Sequence, residues 1–204
     1  IWYWDLENPE NEWMSERFWT TLGDDPKKRK HLSSEWQDLI NPDDLQVALD
    51  NFQKHCANPD HPYDQIVRYR HKDGSTVWVR CRGIAIRDNN GKPIRMLGAH
   101  TDLTNQKEAE QGLLDSKNYL DALFNSTLSG VMVIDAKTHI IVDVNISAIE
   151  AIGLPKEEII GNTCHNFVCP ADSGHCPIAD EGQVVDKSER ILLNSSGEER
   201  IILK

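Results

Sequence analysis

Between residues 63 and 101 three strand-like runs are separated by two glycine turns, and this punctuation constrains the fold more than anything else in the chain. Residues 63–71 end in Lys72-Asp73-Gly74-Ser75, residues 76–87 return, Asp88-Asn89-Asn90-Gly91 turns the chain again, and residues 93–101 follow. Glycine supplies the positive φ that tight hairpin turns require, so the three runs predict an antiparallel meander. Upstream, residues 2–6 and 12–14 predict a hairpin around Asn8-Pro9-Glu10-Asn11. Ser15 is placed to cap a helix over 16–22 that stops at Gly23, and Ser33 or Ser34 to cap a short helix carrying Trp36, Leu39 and Ile40. Asp43 and Asp44 open a longer helix. Its Leu45, Ala48, Leu49 and Phe52 recur at helical spacing before Asn58-Pro59 ends it. The order predicts an α+β domain with short helices on one face of a five-stranded antiparallel sheet.

The pattern then restarts. Residues 130–135 and 139–144 predict two strands, 145–152 a helix stopped by Gly153, and 156–160 a short helix before Gly161. Residues 188–193, the turn Asn194-Ser195-Ser196-Gly197 and residues 200–203 repeat the strand, glycine turn, strand arrangement. The second copy stops before a last strand, so it is expected to be incomplete. Between the copies, residues 105–125 predict a polar helix in which Ala109, Leu113, Ser116, Leu120 and Leu123 are spaced alternately by four and three. That is the rhythm of a coiled-coil seam, and equally of a connector packing one stripe on a sheet. The expected organisation is a first domain at 1–104, a linker helix at 105–125 and a second domain at 126–204.

Composition narrows the function. Lys plus Arg is 22 against 33 Asp plus Glu among 204 residues, a formal charge of −11. That sign argues against nucleic acid or an anionic membrane surface as the main partner. No apolar run approaches the ~20 residues of a membrane span, so no membrane contact is expected. The chain has no initiator Met and no basic-then-apolar leader, and reads as an excised piece of a longer protein. Nothing in its cysteines demands an oxidising compartment, which makes cytoplasm the default. No nucleophile, base and orienting acid fall in a recognisable local arrangement, and no glycine-rich phosphate loop follows a strand, so no enzyme activity is expected of this piece.

Arg70-His71-Lys72-Asp73-Gly74-Ser75, Val77-Trp78-Val79, Gly98 and Asp102-Leu103-Thr104 together resemble the sensory Per-ARNT-Sim (PAS) family with its PAC extension. The resemblance continues upstream through Trp4-Asp5, Phe18, Leu22-Gly23, Trp36 and Leu39-Ile40-Asn41-Pro42-Asp43-Asp44, covering residues 1–104. The second copy resembles the family through Gly130-Val131, Asp135, Val144-Asn145, Gly153, Ile160-Gly161 and the Gly197 turn. The resemblance implies two PAS-like domains, the second truncated, forming the input module of a bacterial sensor. Such modules stand upstream of a histidine kinase or diguanylate cyclase output domain and work as homodimers. It also implies that Asp102-Leu103-Thr104 couples sheet to output helix. Asp102 and Thr104 are cap-forming types, so the signal relay is assigned to them, acting by a shift between two packings.

Most of the aromatics of the first domain belong in its core. Trp36, Phe52, Val67 and Tyr69 are the candidate lining of a cavity for a small-molecule ligand. Alternation puts Val67 and Tyr69 on one face and Arg68 and Arg70 on the other, without saying which is inward. Arg68, Arg70, Arg80 and Arg82 are then either an outer charged stripe or anion hooks. His55, beside Lys54 and Cys56 near a helix end, reads as solvent-facing, which disfavours haem. Gly161 and Cys164 match the spacing of the flavin photosensor branch of the family, but Thr163, His165 and Asn166 depart from it, so a light-driven adduct is disfavoured. Flavin stays ahead of haem as a cofactor. The Lys27-Lys28-Arg29-Lys30 run reads as a solvated loop.

Of five cysteines, Cys56 and Cys81 lie inside periodic segments and read as core. The others form a cluster with two histidines: Cys164, His165, Cys169, His175 and Cys176. Three thiols and two imidazoles in a loop broken by Pro and Gly suit a zinc ion, a disulfide or redox pair, or inert thiols. The expected function is sensory input and dimerisation with relay through the helix. The alternatives are a flavin- or haem-based redox or gas sensor and a ligand-free relay.

Overall fold

The computed structural model describes residues 1–168, 176, 178, 181–183 and 189–203. The chain divides into two compact units, Ile1–Leu113 and Leu114–Lys204. The first holds strands β1 (Trp2–Asp5), β2 (Glu12–Met14), β3 (Tyr63–Arg70), β4 (Thr76–Arg87) and β5 (Pro93–Asp102). They form one antiparallel sheet in the order β2-β1-β5-β4-β3. Helices α1 (Glu16–Thr21), α2 (Ser33–Gln37) and α3 (Pro42–Ala57) precede the meander. α3 starts at Asn41, whose side chain accepts the Asp43 amide, with Pro42 at a position where its missing N–H is harmless. Ser33 is the first helical residue of α2 rather than its cap. Leu32 takes that position, and Glu35 reaches back to the Lys30 and Leu32 amides.

Tight packing at the sheet centre rests on two glycines. Gly83 and Gly98 are paired across β4 and β5, and Gly98 is also paired with Trp2. A Cβ on Gly98 would lie 2.2 Å from the Arg82 carbonyl oxygen and 2.4 Å from the Trp2 indole. The two bare backbones form the slot that holds this ring, which is buried. The outer edge of β3 is covered by residues 39–41, since Asn41 donates to the Arg68 carbonyl and Arg70 to the Leu39 carbonyl, both at 2.8 Å.

Helix α4 spans Thr104–Ser126, and none of its described side chains is buried. The stripe does not pack on a sheet: Leu113 and Leu120 are 74% and 61% exposed, and Leu123 is exposed as well. The second unit contains β6 (Met132–Ile134) paired with β7 (Ile141–Val144), and β8 (Glu189–Leu193) paired with β9 (Glu199–Leu203). Helices α5 (Ile146–Ile152) and α6 (Lys156–Ile159) lie between the pairs in sequence. Ile141, Val144, Ala148, Ile152, Ile159 and Leu192 form its core, and Ser195 ties the β8–β9 turn to the Ile152 and Gly153 carbonyls. No helix among the described residues is long and apolar enough to cross a membrane.

Candidate functional site

Val67 and Tyr69 are buried, with Val77, Val79 and Cys81 on the facing strand, so this is the inner face of the sheet. Trp36 and Phe52 from the helices meet Val67 and Tyr69 around one cavity. Its volume is about 30 Å³. A water needs roughly 10–15 Å³, so the space holds about two or three waters. Aromatic rings fill the rest, with Trp4 against Phe52 at 4.8 Å and Phe18 edge-on to Tyr69 at 5.3 Å.

The polar anchor of this cavity is Glu12, which the sequence reading missed. It is 5% exposed, and Trp36 Nε1 donates to its Oε2 at 2.6 Å. Burial pushes its carboxyl up to about 7, against the pull of the Trp36 hydrogen bond. Period-two parity carried the signal, because Glu12 shares its face with the buried Met14. His100 also lines the cavity, and burial drives its pKa down to about 3, leaving a neutral ring. Burial lifts the Cys81 thiol to about 12, so it stays protonated and is no nucleophile.

The arginines lie on the other face. Arg68 clasps Asp44 through Nε and Nη2 at 2.8 and 2.7 Å, and Arg80 clasps Asp64 at 2.8 and 2.6 Å. These guanidiniums hold both carboxyls below their usual range, and neither arginine lines the cavity. Arg29 is not a free loop charge, since it pairs with Asp24 and Glu35 and lies 4.6 Å over the Trp19 ring. Cys56 is half-buried rather than core.

His55 corrects the sequence expectation most sharply. It is buried, and both ring nitrogens are engaged by backbone. Nε2 accepts the Ala85 amide at 3.0 Å, which places the proton on Nδ1, donated to the His61 carbonyl. The residues that cover it come from β4, thirty positions away, where no helix-end reading could find them.

At the end of the sheet, Asp102 Oδ1 accepts the Thr104 amide at 2.8 Å. Thr104 Oγ1 in turn accepts the Trp78 amide at 3.0 Å, and Leu103 donates to the Trp78 carbonyl at 2.8 Å. The first residues of α4 are thus stitched to β4, whose Val79 and Cys81 lie on the inner face. At the other end of α4, Asn145 is completely buried and makes four bonds. Its Nδ2 donates to the Phe124 and Ser129 carbonyls, while its Oδ1 accepts the Val131 and Ala148 amides.

Of the cysteine cluster, Cys164 and His165 sit in a 3₁₀ turn, Cys164–Asn166, and Cys164 is buried. Cys176 is buried too, whereas Cys169 and His175 fall outside the described residues. The third group beside Cys164 and His165 is His139, unnamed by the sequence reading, and the ligand atoms of all three lie within 4.8 Å of one another.

Residues 11–100 match a family model described as PAS fold, and residues 128–203 match a second, described as PAS domain. The chain belongs to the PAS family. Its two PAS domains are sensory signalling domains, of α+β class. The chain is similar to a sensory box histidine kinase/response regulator from Burkholderia thailandensis, at 28% identity, 58% of this chain, 87% of that chain and a TM-score of 0.49. It is also similar to the N-terminal domain of a diguanylate cyclase with PAS/PAC sensor from Marinobacter aquaeolei, at 18% identity, 52% of this chain, 95% of that chain and a TM-score of 0.44. A light-oxygen-voltage domain studied with a flavin analogue is similar at 21% identity, 58% of this chain, 86% of that chain and a TM-score of 0.39. A search of curated proteins found no match.

The cavity lined by Trp36, Phe52, Val67 and Tyr69 does not fit a flavin or a haem. Sites for ligands of that class enclose roughly 300–1,000 Å³, at least about ten times the space between Trp36 and Tyr69. His55 offers no free nitrogen as an axial ligand. In the second PAS domain an apolar groove of about 300 Å³ runs beside Gly130, Ala148, Val168 and Leu192, and among the described residues Cys164 is not on its wall.

Proposed function

We propose that the chain is a sensory input and dimerisation module whose first PAS domain reports the state of its cavity to α4. The stitch between Trp78 and Thr104 carries this reading. A group that displaces Trp36 from Glu12 shifts the inner face of β4, and the same strand holds the start of α4 through two backbone groups of Trp78. The ligand class is a compact molecule with a cationic or hydrogen-bond-donating head, which enters the space that Trp36 vacates because the closed cavity admits only water. Glu12 is the buried acceptor, and Trp4, Trp36 and Phe52 supply aromatic walls suited to a cation. Dimerisation is assigned to the exposed seam through Leu113, Leu120 and Leu123, whose spacing matches a heptad. A C-terminal output domain of the kinase or cyclase kind, in the cytoplasm, completes the proposal on the family resemblance.

Hydrogen exchange over residues 104–112 tests the relay. Glu12→Gln alters the cavity without removing the Trp36 acceptor, and Thr104→Val removes the acceptor for Trp78. The expected result is that Glu12→Gln changes exchange at the start of α4 in the parent and not in the Thr104→Val background. Identical exchange in all four proteins overturns the relay.

A further inference from the structure

We infer that His139, Cys164 and His165 form a three-ligand site for a zinc-class divalent metal ion in the second PAS domain. Backbone geometry brings the first two together. Residues 139–141 run antiparallel to 161–164, with Ile140 paired to Thr163 and the Cys164 amide donating to the His139 carbonyl at 3.0 Å. His139 and Cys164 are therefore neighbours across a fixed backbone pair, although twenty-five positions separate them in sequence. The turn before them is built as firmly. Asp135 Oδ1 accepts the Lys137 and Thr138 amides and the Thr138 hydroxyl, and the His139 amide donates to the Asp135 carbonyl at 2.8 Å. It leaves His139 at φ 58°, a conformation uncommon for any residue but glycine.

His165 follows Cys164 in the 3₁₀ turn and folds back, so that its ring stacks on that of His139 with centroids 5.4 Å apart. Its Nδ1 is buried and has no hydrogen-bond partner among the described residues. A buried imidazole nitrogen left in this state is an uncompensated cost, and a metal ion removes it. The donor set, two imidazoles and one thiolate, is that of a borderline-soft ion. Zn–N and Zn–S bonds of about 2.0–2.3 Å set ligand atoms roughly 3.3–3.7 Å apart in a tetrahedron. The three atoms already lie within 4.8 Å, so side-chain rotation without backbone movement closes the site. Among the described residues the site supplies three of the four ligands that a tetrahedral zinc ion takes. The site gives the second domain an input independent of the first domain's cavity.

Cobalt(II) alone is the probe, titrated into the tag-free 204-residue chain after reduction and chelator treatment. The expected result is one equivalent bound, with a thiolate-to-cobalt charge-transfer band and the intense visible bands of a tetrahedral ion. Cys164→Ser abolishes the charge-transfer band. His139→Asn, chosen because Asn tolerates positive φ, and His165→Gln each weaken binding at least tenfold, while Cys176→Ser leaves the band unchanged. In the unsubstituted protein, zinc slows alkylation of Cys164 and not of Cys81, read by peptide mass spectrometry, which keeps the test valid if a variant fails to fold. Absence of a thiolate band, unaltered affinity in His139→Asn, loss of the band in Cys176→Ser, or unchanged Cys164 alkylation overturns the site.

Discussion

Replacing Glu12 with Gln should stabilise the first PAS domain at neutral and alkaline pH and leave it unchanged in acid. Burial raises this carboxyl from its ordinary 4.5 to about 7. At 1.36 kcal/mol per pKa unit, ionising it inside the fold costs about 3 kcal/mol relative to the unfolded chain. The sign follows from the upward direction. Folding takes up a proton between pH 4.5 and about 7, so the stability tied to Glu12 is whole below pH 4.5 and lost as pH rises through 7. His100 runs the opposite way, because a folded pKa near 3 withdraws stability as pH falls below 6.5. The raw profile of the parent therefore mixes two slopes, and only the difference between parent and Glu12→Gln isolates the carboxyl. Gln keeps an oxygen for Trp36 Nε1. All six tryptophans lie between Trp2 and Trp78, so tryptophan fluorescence in urea reads this domain alone. The expected advantage of the variant is about 3 kcal/mol at pH 8, shrinking toward zero by pH 4. An advantage that does not change with pH refutes the burial argument.

Gly98→Ala should lower the tryptophan-detected unfolding free energy by about 3 kcal/mol, because the added Cβ meets the Arg82 carbonyl oxygen and the Trp2 ring inside contact distance. Gly112→Ala, where nothing lies within 4 Å of the new Cβ, should instead raise α4 helicity and stabilise by about 1 kcal/mol, read by circular dichroism. Asn145→Ala removes four buried hydrogen bonds, and at about 1–3 kcal/mol for each buried group left unpaired it should collapse amide protection in the second domain. The tryptophan melt of the first domain should not follow it.

Features set by local chemistry were legible before any coordinates. The Asp-Gly and Asn-Gly turns placed β3, β4 and β5, and the i, i+3, i+4, i+7 spacing with Asn41-Pro42 at its head placed α3. Trp36, Phe52, Val67 and Tyr69 line one space, the two helix residues facing the two strand residues. What escaped depends on contacts made across the sheet. His55 looks exposed from its neighbours Lys54 and Cys56, yet Ala85 and Arg87 of β4 cover it and its carbonyl. Arg29 looks solvated within a basic run, yet Trp19 and two carboxylates hold it. His139 stood outside the cysteine cluster because the backbone pairing of 140 with 163 is not written in either segment alone. Glu12 was different, since the parity that buried it was available and overlooked.

The proposed relay rests on how the two ends of α4 are held. Thr104 and Leu103 are bonded to both backbone groups of Trp78, and the Phe124 carbonyl is bonded to Asn145. Helix termini ordinarily fray because their last amides and carbonyls lack partners. Here the first end is held to the β4 backbone at Trp78 and the last to the Asn145 side chain, so both ends have partners that oppose fraying. The middle of the helix, with Leu113, Leu120 and Leu123 exposed, is the part to which the proposal assigns the change in pairing. In the proposed relay a movement of the Trp36 side chain is the input, because two hydrogen bonds, the Trp78 amide to Thr104 Oγ1 and the Leu103 amide to the Trp78 carbonyl, hold the start of the helix to β4.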